Sequence, residues 1–147
     1  MITDYFSAPS DEAAAAVIDG GPSGTPGTGF RTIALNGIEP VVQTGTMEEL
    51  LTGVDYETVA ANPRQGRVVA VRDSGEGLVI ALTDELRAAL VQASEGELRE
   101  VAGRWARTEE FRGQSDPAAL AEVLGELASL ARDAQARDEH LYCWVCI

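Results

Sequence analysis

The chain has 147 residues, 24 of them acidic and 11 basic, for a formal net charge of −13 and an isoelectric point near 4.3. Every basic residue is an arginine, which excludes a Schiff-base lysine, a pyridoxal-phosphate anchor and a Walker-type phosphate lysine; so acidic a chain is also poorly suited to the phosphate backbone of nucleic acid. Hydrophobic residues make up 45% of the chain but aromatics only 5%, which calls for one domain whose core is built from aliphatic side chains and alanine.

In chain order, residues 2–8 read as a strand. Ser10 then supplies an N-cap, and Asp11 and Glu12 the first-turn acids, of an alanine-rich helix over residues 11–18. Residues 20–29 hold five glycines and two prolines and are expected to form an exposed, flexible connection within the single domain. They do not suit a phosphate cradle, because such loops follow a strand and open a helix, whereas this one follows a helix and precedes a strand over residues 30–35. Short helices are expected between residues 39 and 62: Thr46 and Glu49 have capping-box spacing ahead of Leu50 and Leu51, and Gly53 is placed to stop the helix. The β-branched runs at 67–72 and 78–82 flank Asp73-Ser-Gly-Glu-Gly77 and read as a hairpin.

The second half reads as mostly helical. Thr83 caps a helix with Leu86, Ala89, Leu90 and Ala93 on one face, and Ser94 and Glu97 form a capping box for a helix over residues 95–112. In the latter, Leu98, Val101, Ala102 and Trp105 follow i, i+3, i+4, i+7 spacing, which predicts a buried stripe. Pro117 opens a third helix running to about residue 137, with Leu120, Val123, Leu124, Leu127 and Ala131 facing inward. Residues 141–147 return as a strand. This order predicts the α+β class, with a small antiparallel or mixed sheet, helices packed mainly on one face, and the C-terminal strand in the sheet.

Metal or thiol chemistry would have to start in the last eight residues, which hold the only histidine and both cysteines. His140, Cys143 and Cys146 have the spacing H-x2-C-x2-C and are the candidate metal ligands, with zinc as the alternative to no cofactor at all. In a strand, however, period-two alternation puts Leu141, Cys143, Val145 and Ile147 on one face and Tyr142, Trp144 and Cys146 on the other. The two sulfurs then diverge, so a disulfide or joint ligation would require distortion. A dithiol redox motif is disfavoured as well, because here a helix precedes the C-x-x-C rather than following it. The first residues lack the charged and apolar regions of a secretory signal, and no apolar run has membrane-spanning length, which predicts a cytoplasmic protein without a membrane partner.

A binding surface would draw on Trp105 and Arg104, with Trp144 of the terminal segment. The competing account is that Glu95–Arg99 and Glu100–Arg104 are i,i+4 helix pairs and that Trp105 belongs to the core stripe. No catalytic residue is assigned. The serines lack a G-x-S-x-G elbow, and the adjacent acids Glu48-Glu49, Asp84-Glu85 and Glu109-Glu110 do not share a helix face.

Residues 5–9, 36–40, 104–111, 124–132 and 141–147, among them Tyr5-Phe-Ser-Ala-Pro9, Arg104-Trp-Ala-Arg107 and Leu141-Tyr-Cys-Trp-Val-Cys-Ile147, together resemble a family of small acidic proteins from high-GC bacteria. The absence of lysine beside abundant alanine, arginine and glycine fits such genomes. The resemblance implies no established activity or cofactor. The expected function is a non-enzymatic, acidic interaction module for a basic protein partner, an immunity or antitoxin-like protein being one version. The alternative is a small-molecule or metal-binding protein, an enzyme being one version, with a pocket near the C-terminal strand.

Overall fold

The structure, a computed structural model, describes every residue except Pro26 and Thr28. Its strands are β1 (Ile2–Ala8), β2 (Thr32–Ala34), β3 (Val68–Arg72), β4 (Gly77–Ala81) and β5 (His140–Cys146). Its helices are α1 (Asp11–Ala15), α2 (Gly21–Gly24), α3 (Val42–Thr52), α4 (Tyr56–Ala61), α5 (Asp84–Gln92), α6 (Glu95–Trp105) and α7 (Pro117–Ala136), with 3₁₀ turns at Asp73–Gly75 and Glu109–Phe111. The fold is α+β, as the element order predicts.

The strands form one antiparallel sheet in the order β2-β1-β5-β4-β3. The last strand of the chain is therefore the middle strand of the sheet. It pairs with β1 over all seven residues, from Ile2↔Cys146 to Ala8↔His140, and with β4 from Gly77↔Cys146 to Ala81↔Tyr142. A strand covered on both faces must be apolar on both, which is why Leu141–Val145 is a continuous hydrophobic run and is buried throughout.

The alternation predicted for this strand holds. Leu141, Cys143 and Val145 enter a large core with Tyr5 and Ile80, closed by α3, α5, α6 and α7 through Met47, Leu86, Leu90, Leu98, Trp105, Leu124 and Leu127. Tyr142 and Trp144 enter a smaller core on the opposite face, with Phe6, Val79, Ala14 and Val17. The helices thus lie mainly on one face, and the short α1 and α2 serve the other.

Side-chain caps fix several helix starts. Ser10, Asp55, Thr83, Ser94 and Asp116 each accept a hydrogen bond from an amide of the first turn, and Ser94 and Glu97 complete the predicted capping box. Gly53 ends α3 in the left-handed conformation, with φ 75°.

Other local expectations are corrected. Thr46 does not cap a helix, because α3 already starts at Val42. There the Glu39 carboxylate accepts from the amides of Val41, Val42 and Gln43 at 2.7, 2.6 and 3.2 Å, while the Thr46 hydroxyl reaches the Val42 carbonyl at 3.0 Å. The first helix stops at Ala15, as the chain tightens into i→i−3 turns that seat Val17 in the smaller core. The sixth stops at Trp105, so that the following 3₁₀ turn can set Phe111 edge-on against the indole, with 5.0 Å between ring centroids. The strand expected over residues 30–35 is confined to Thr32–Ala34.

The glycine-rich stretch is not exposed throughout. Gly21–Gly24 forms a helical turn in which Gly21 and Pro22 are buried. Gly21 has φ 78°, and a Cβ added there would lie 3.0 Å from the Trp144 ring, so only glycine fits. The expectation for Pro26 and Thr28 lies outside the described residues.

Candidate functional site

The terminal segment positions its polar groups separately. Cys143 is fully buried in the large core, where desolvation pushes its thiol well above the ordinary value, and Cys146 is half-buried on the opposite face beside Arg72. His140 stands at the other end of the strand, its Nδ1 2.7 Å from Asp84 Oδ1. The three predicted metal ligands are therefore not brought together, and among the described residues no group of three or more His, Cys, Asp or Glu side chains is arranged to hold a metal ion.

What His140 joins instead is a polar network where β1 ends, β5 begins and α1 and α5 start. Asp11 Oδ1 accepts from the Tyr142 hydroxyl at 2.7 Å and from Arg64 Nη1 at 3.0 Å. Arg64 Nε donates to the Leu82 carbonyl at 3.0 Å and lies 3.9 Å from Asp84, and its guanidinium sits 5.2 Å from the centroid of the Tyr142 ring. Arg67 approaches Asp11 from the other side at 3.8 Å.

Desolvation alone would raise the Asp11 carboxyl, but the hydrogen bonds from Tyr142 and Arg64 and the charges of Arg64 and Arg67 outweigh it, and the group is held below its usual value. Tyr142 is pushed the opposite way, by burial and then by its bond to Asp11, and stays a neutral donor.

An Asp84–His140 pair could orient an imidazole for proton transfer. The neighbouring hydroxyls do not serve it: Tyr142 donates to Asp11, and Ser7 donates to Glu139 at 2.9 Å. The network is a clamp. It ties α1, the 62–66 loop and the start of α5 to the central strand.

None of this is visible in sequence spacing. Asp11 and Tyr142 are 131 residues apart, and Asp11 and Asp84 read as ordinary first-turn acids because that is also what they are. The remaining candidates divide similarly. Trp105 is fully buried in the large core and donates its indole N–H to the Gln43 carbonyl at 3.0 Å, while Arg104 on the same helix is exposed. Trp144 lies in the smaller core and donates to the Ile18 carbonyl at 3.0 Å. The two tryptophans thus sit on opposite faces of the sheet and form no joint surface.

Open grooves among the described residues lie away from the terminal strand. One, of about 460 Å³, runs between α6 and α7, where Glu95 and Glu122 are balanced by Arg99 and Arg132. Another, of about 480 Å³, lies between α3, α4 and the Glu109–Phe111 turn, with Glu49, Glu109 and Glu110 against the single Arg107 and with Val42 and Tyr56 as its apolar lining. Among the described residues, no helix is long and apolar enough to cross a membrane.

No protein-family model matches the chain, and neither does any curated protein or solved structure.

Proposed function

We propose that the protein is a non-enzymatic, acidic interaction module that docks a basic protein partner, with an immunity or antitoxin-like role as one version. One observation carries this reading: the side chains with the richest chemistry are buried or paired within the fold, while most of the acidic charge is left outside. Trp105, Trp144, Tyr142 and Cys143 are buried, and His140 is held by Asp84. Glu57, Glu95, Glu97, Glu100, Glu109, Glu122 and Glu126 are all exposed. On a chain of net charge −13, such a surface attracts cationic partners and speeds their association.

Co-purification from the native host at moderate salt tests the reading. The expected result is a stoichiometric basic protein whose complex re-forms from purified components and weakens as salt is raised. Recovery of no basic partner would count against it. Stabilisation by a small molecule, about 2.7 kcal/mol at 100 times its Kd and seen as a raised melting temperature, would favour the ligand-binding alternative.

A further inference from the structure

We infer that the groove between α3, α4 and the Glu109–Phe111 turn is the docking surface for an arginine-bearing amphipathic segment of a partner protein. In this reading, which rests on the acidic interaction module proposed above, the segment lays its apolar side on Val42 and Tyr56 and places guanidinium groups among Glu49, Glu109 and Glu110.

Charge separates this groove from the one between α6 and α7. Three carboxylates face one guanidinium here, whereas two of each line the other. A partner made only of positive charge would find acids over much of the surface, but here the acids border apolar area: Val42 is 44% exposed and Tyr56 is half-buried. Isolated exposed valines are unremarkable on a folded protein. A valine beside a tyrosine in an acid-bordered groove offers both halves of an amphipathic ligand a place.

The groove is also held in shape before any partner arrives. Glu49 Oε2 accepts from the Tyr56 amide at 2.8 Å and ties α4 to α3. Glu110 accepts from the Thr46 hydroxyl at 2.7 Å, and the Trp105 indole, bonded to the Gln43 carbonyl and packed on Phe111, fixes the 3₁₀ turn against α3. A preformed site loses little freedom on binding. Arginine suits it better than lysine, because the planar guanidinium engages carboxylates bidentately and stacks on an aromatic ring such as Tyr56.

The test uses the full chain and two synthetic helical peptides, each with one leucine face and one cationic face, bearing either arginines or lysines. Amide shifts on titration should be confined to α3, α4 and the 109–111 turn, and the arginine peptide should bind more tightly than the lysine peptide. Val42→Asn and Glu109→Arg should each weaken binding about tenfold, while Glu122→Arg on α7 changes it less than about twofold. If Val42→Asn lowers the melting temperature, the exposed Glu109 decides alone. Equal loss from Glu109→Arg and Glu122→Arg would mean diffuse attraction; it would overturn the groove and leave the acidic module standing. Failure of both peptides to bind, together with no basic protein co-purifying, would remove both readings. A basic partner that co-purifies but is indifferent to Val42→Asn and Glu109→Arg would remove the groove alone.

Discussion

The two faces of the sheet are closed by different means. On one, α3, α5, α6 and α7 cover Leu141, Cys143 and Val145 with a mostly aliphatic layer, and the helices themselves are long enough to present an apolar stripe. On the other, α1 has five residues and α2 four, and Tyr142 and Trp144 are each tied down by a hydrogen bond, to Asp11 and to the Ile18 carbonyl. So short a helix buries too little apolar area to hold itself in place. Polar anchors do it instead: Arg64 to Asp11, and Arg72 to the Asp19 carbonyl at 2.7 Å. The first face should therefore respond most to lost volume and the second to lost hydrogen bonds, and the two should respond to pH with opposite sign.

The largest effect should come from a change that removes both faces together. A chain ending at His140 loses the middle strand, and the far-ultraviolet dichroism and amide dispersion of a folded protein should disappear with it. On the large face alone, Leu124→Ala, at a fully buried position, should cost about 2–5 kcal/mol in denaturant unfolding. A loss below about 1 kcal/mol would mean that this layer is looser than its burial suggests.

On the small face, Gly21→Ala should cost roughly 1–3 kcal/mol, because it meets the Trp144 ring and requires a left-handed backbone. Tyr142→Phe should cost less, about 1–2 kcal/mol, since Arg64 still partners Asp11.

The pH dependence separates the faces in sign. Because the Asp11 carboxyl is held below its unfolded value of about 3.9, its contribution is present above that pH and is lost as pH falls through the lower folded value. Wild type should accordingly lose stability below about pH 4 more steeply than Asp11→Asn.

Glu48 belongs to the large face and behaves oppositely. Its carboxylate, nearly buried and bonded to the Thr83 hydroxyl, is raised by desolvation, which the Thr83 bond only partly offsets, and further by the charge of Glu85. Stability from this group is full below the unfolded value of about 4.3 and is lost as pH rises through the folded one. Glu48→Gln should therefore stabilise the fold at pH 7 by less than about 1 kcal/mol, and the gain, seen as a raised melting temperature in a thermal scan, should vanish near pH 4.

Where a feature depends on a few consecutive residues, it could be read directly. The Thr83 and Ser94 caps, the Gly53 stop, the hairpin around Asp73–Gly75 and the strand at residues 2–8 all follow from local chemistry. Local reading failed where a distant group intervened. Trp144 drew Gly21 and Pro22 out of solvent, whereas the start of α3 ahead of Thr46 was set by a nearer residue, Glu39, which caps the amides of Val41, Val42 and Gln43. The candidate ligands, by contrast, followed local geometry: period-two alternation in the strand sends Cys143 and Cys146 to opposite faces, as the sequence predicts.

Periodicity and capping act over three to seven residues, so the chain alone specified its main helices, most of its strands and the two-sided character of residues 141–145. Tertiary structure decided that this strand lies in the middle of the sheet. It also decided that Asp11, Arg64, Asp84, His140 and Tyr142 meet at one end of it. Strand order and polar contacts between residues tens of positions apart depend on which faces remain to be covered once the local elements have formed, and no spacing within the sequence records that.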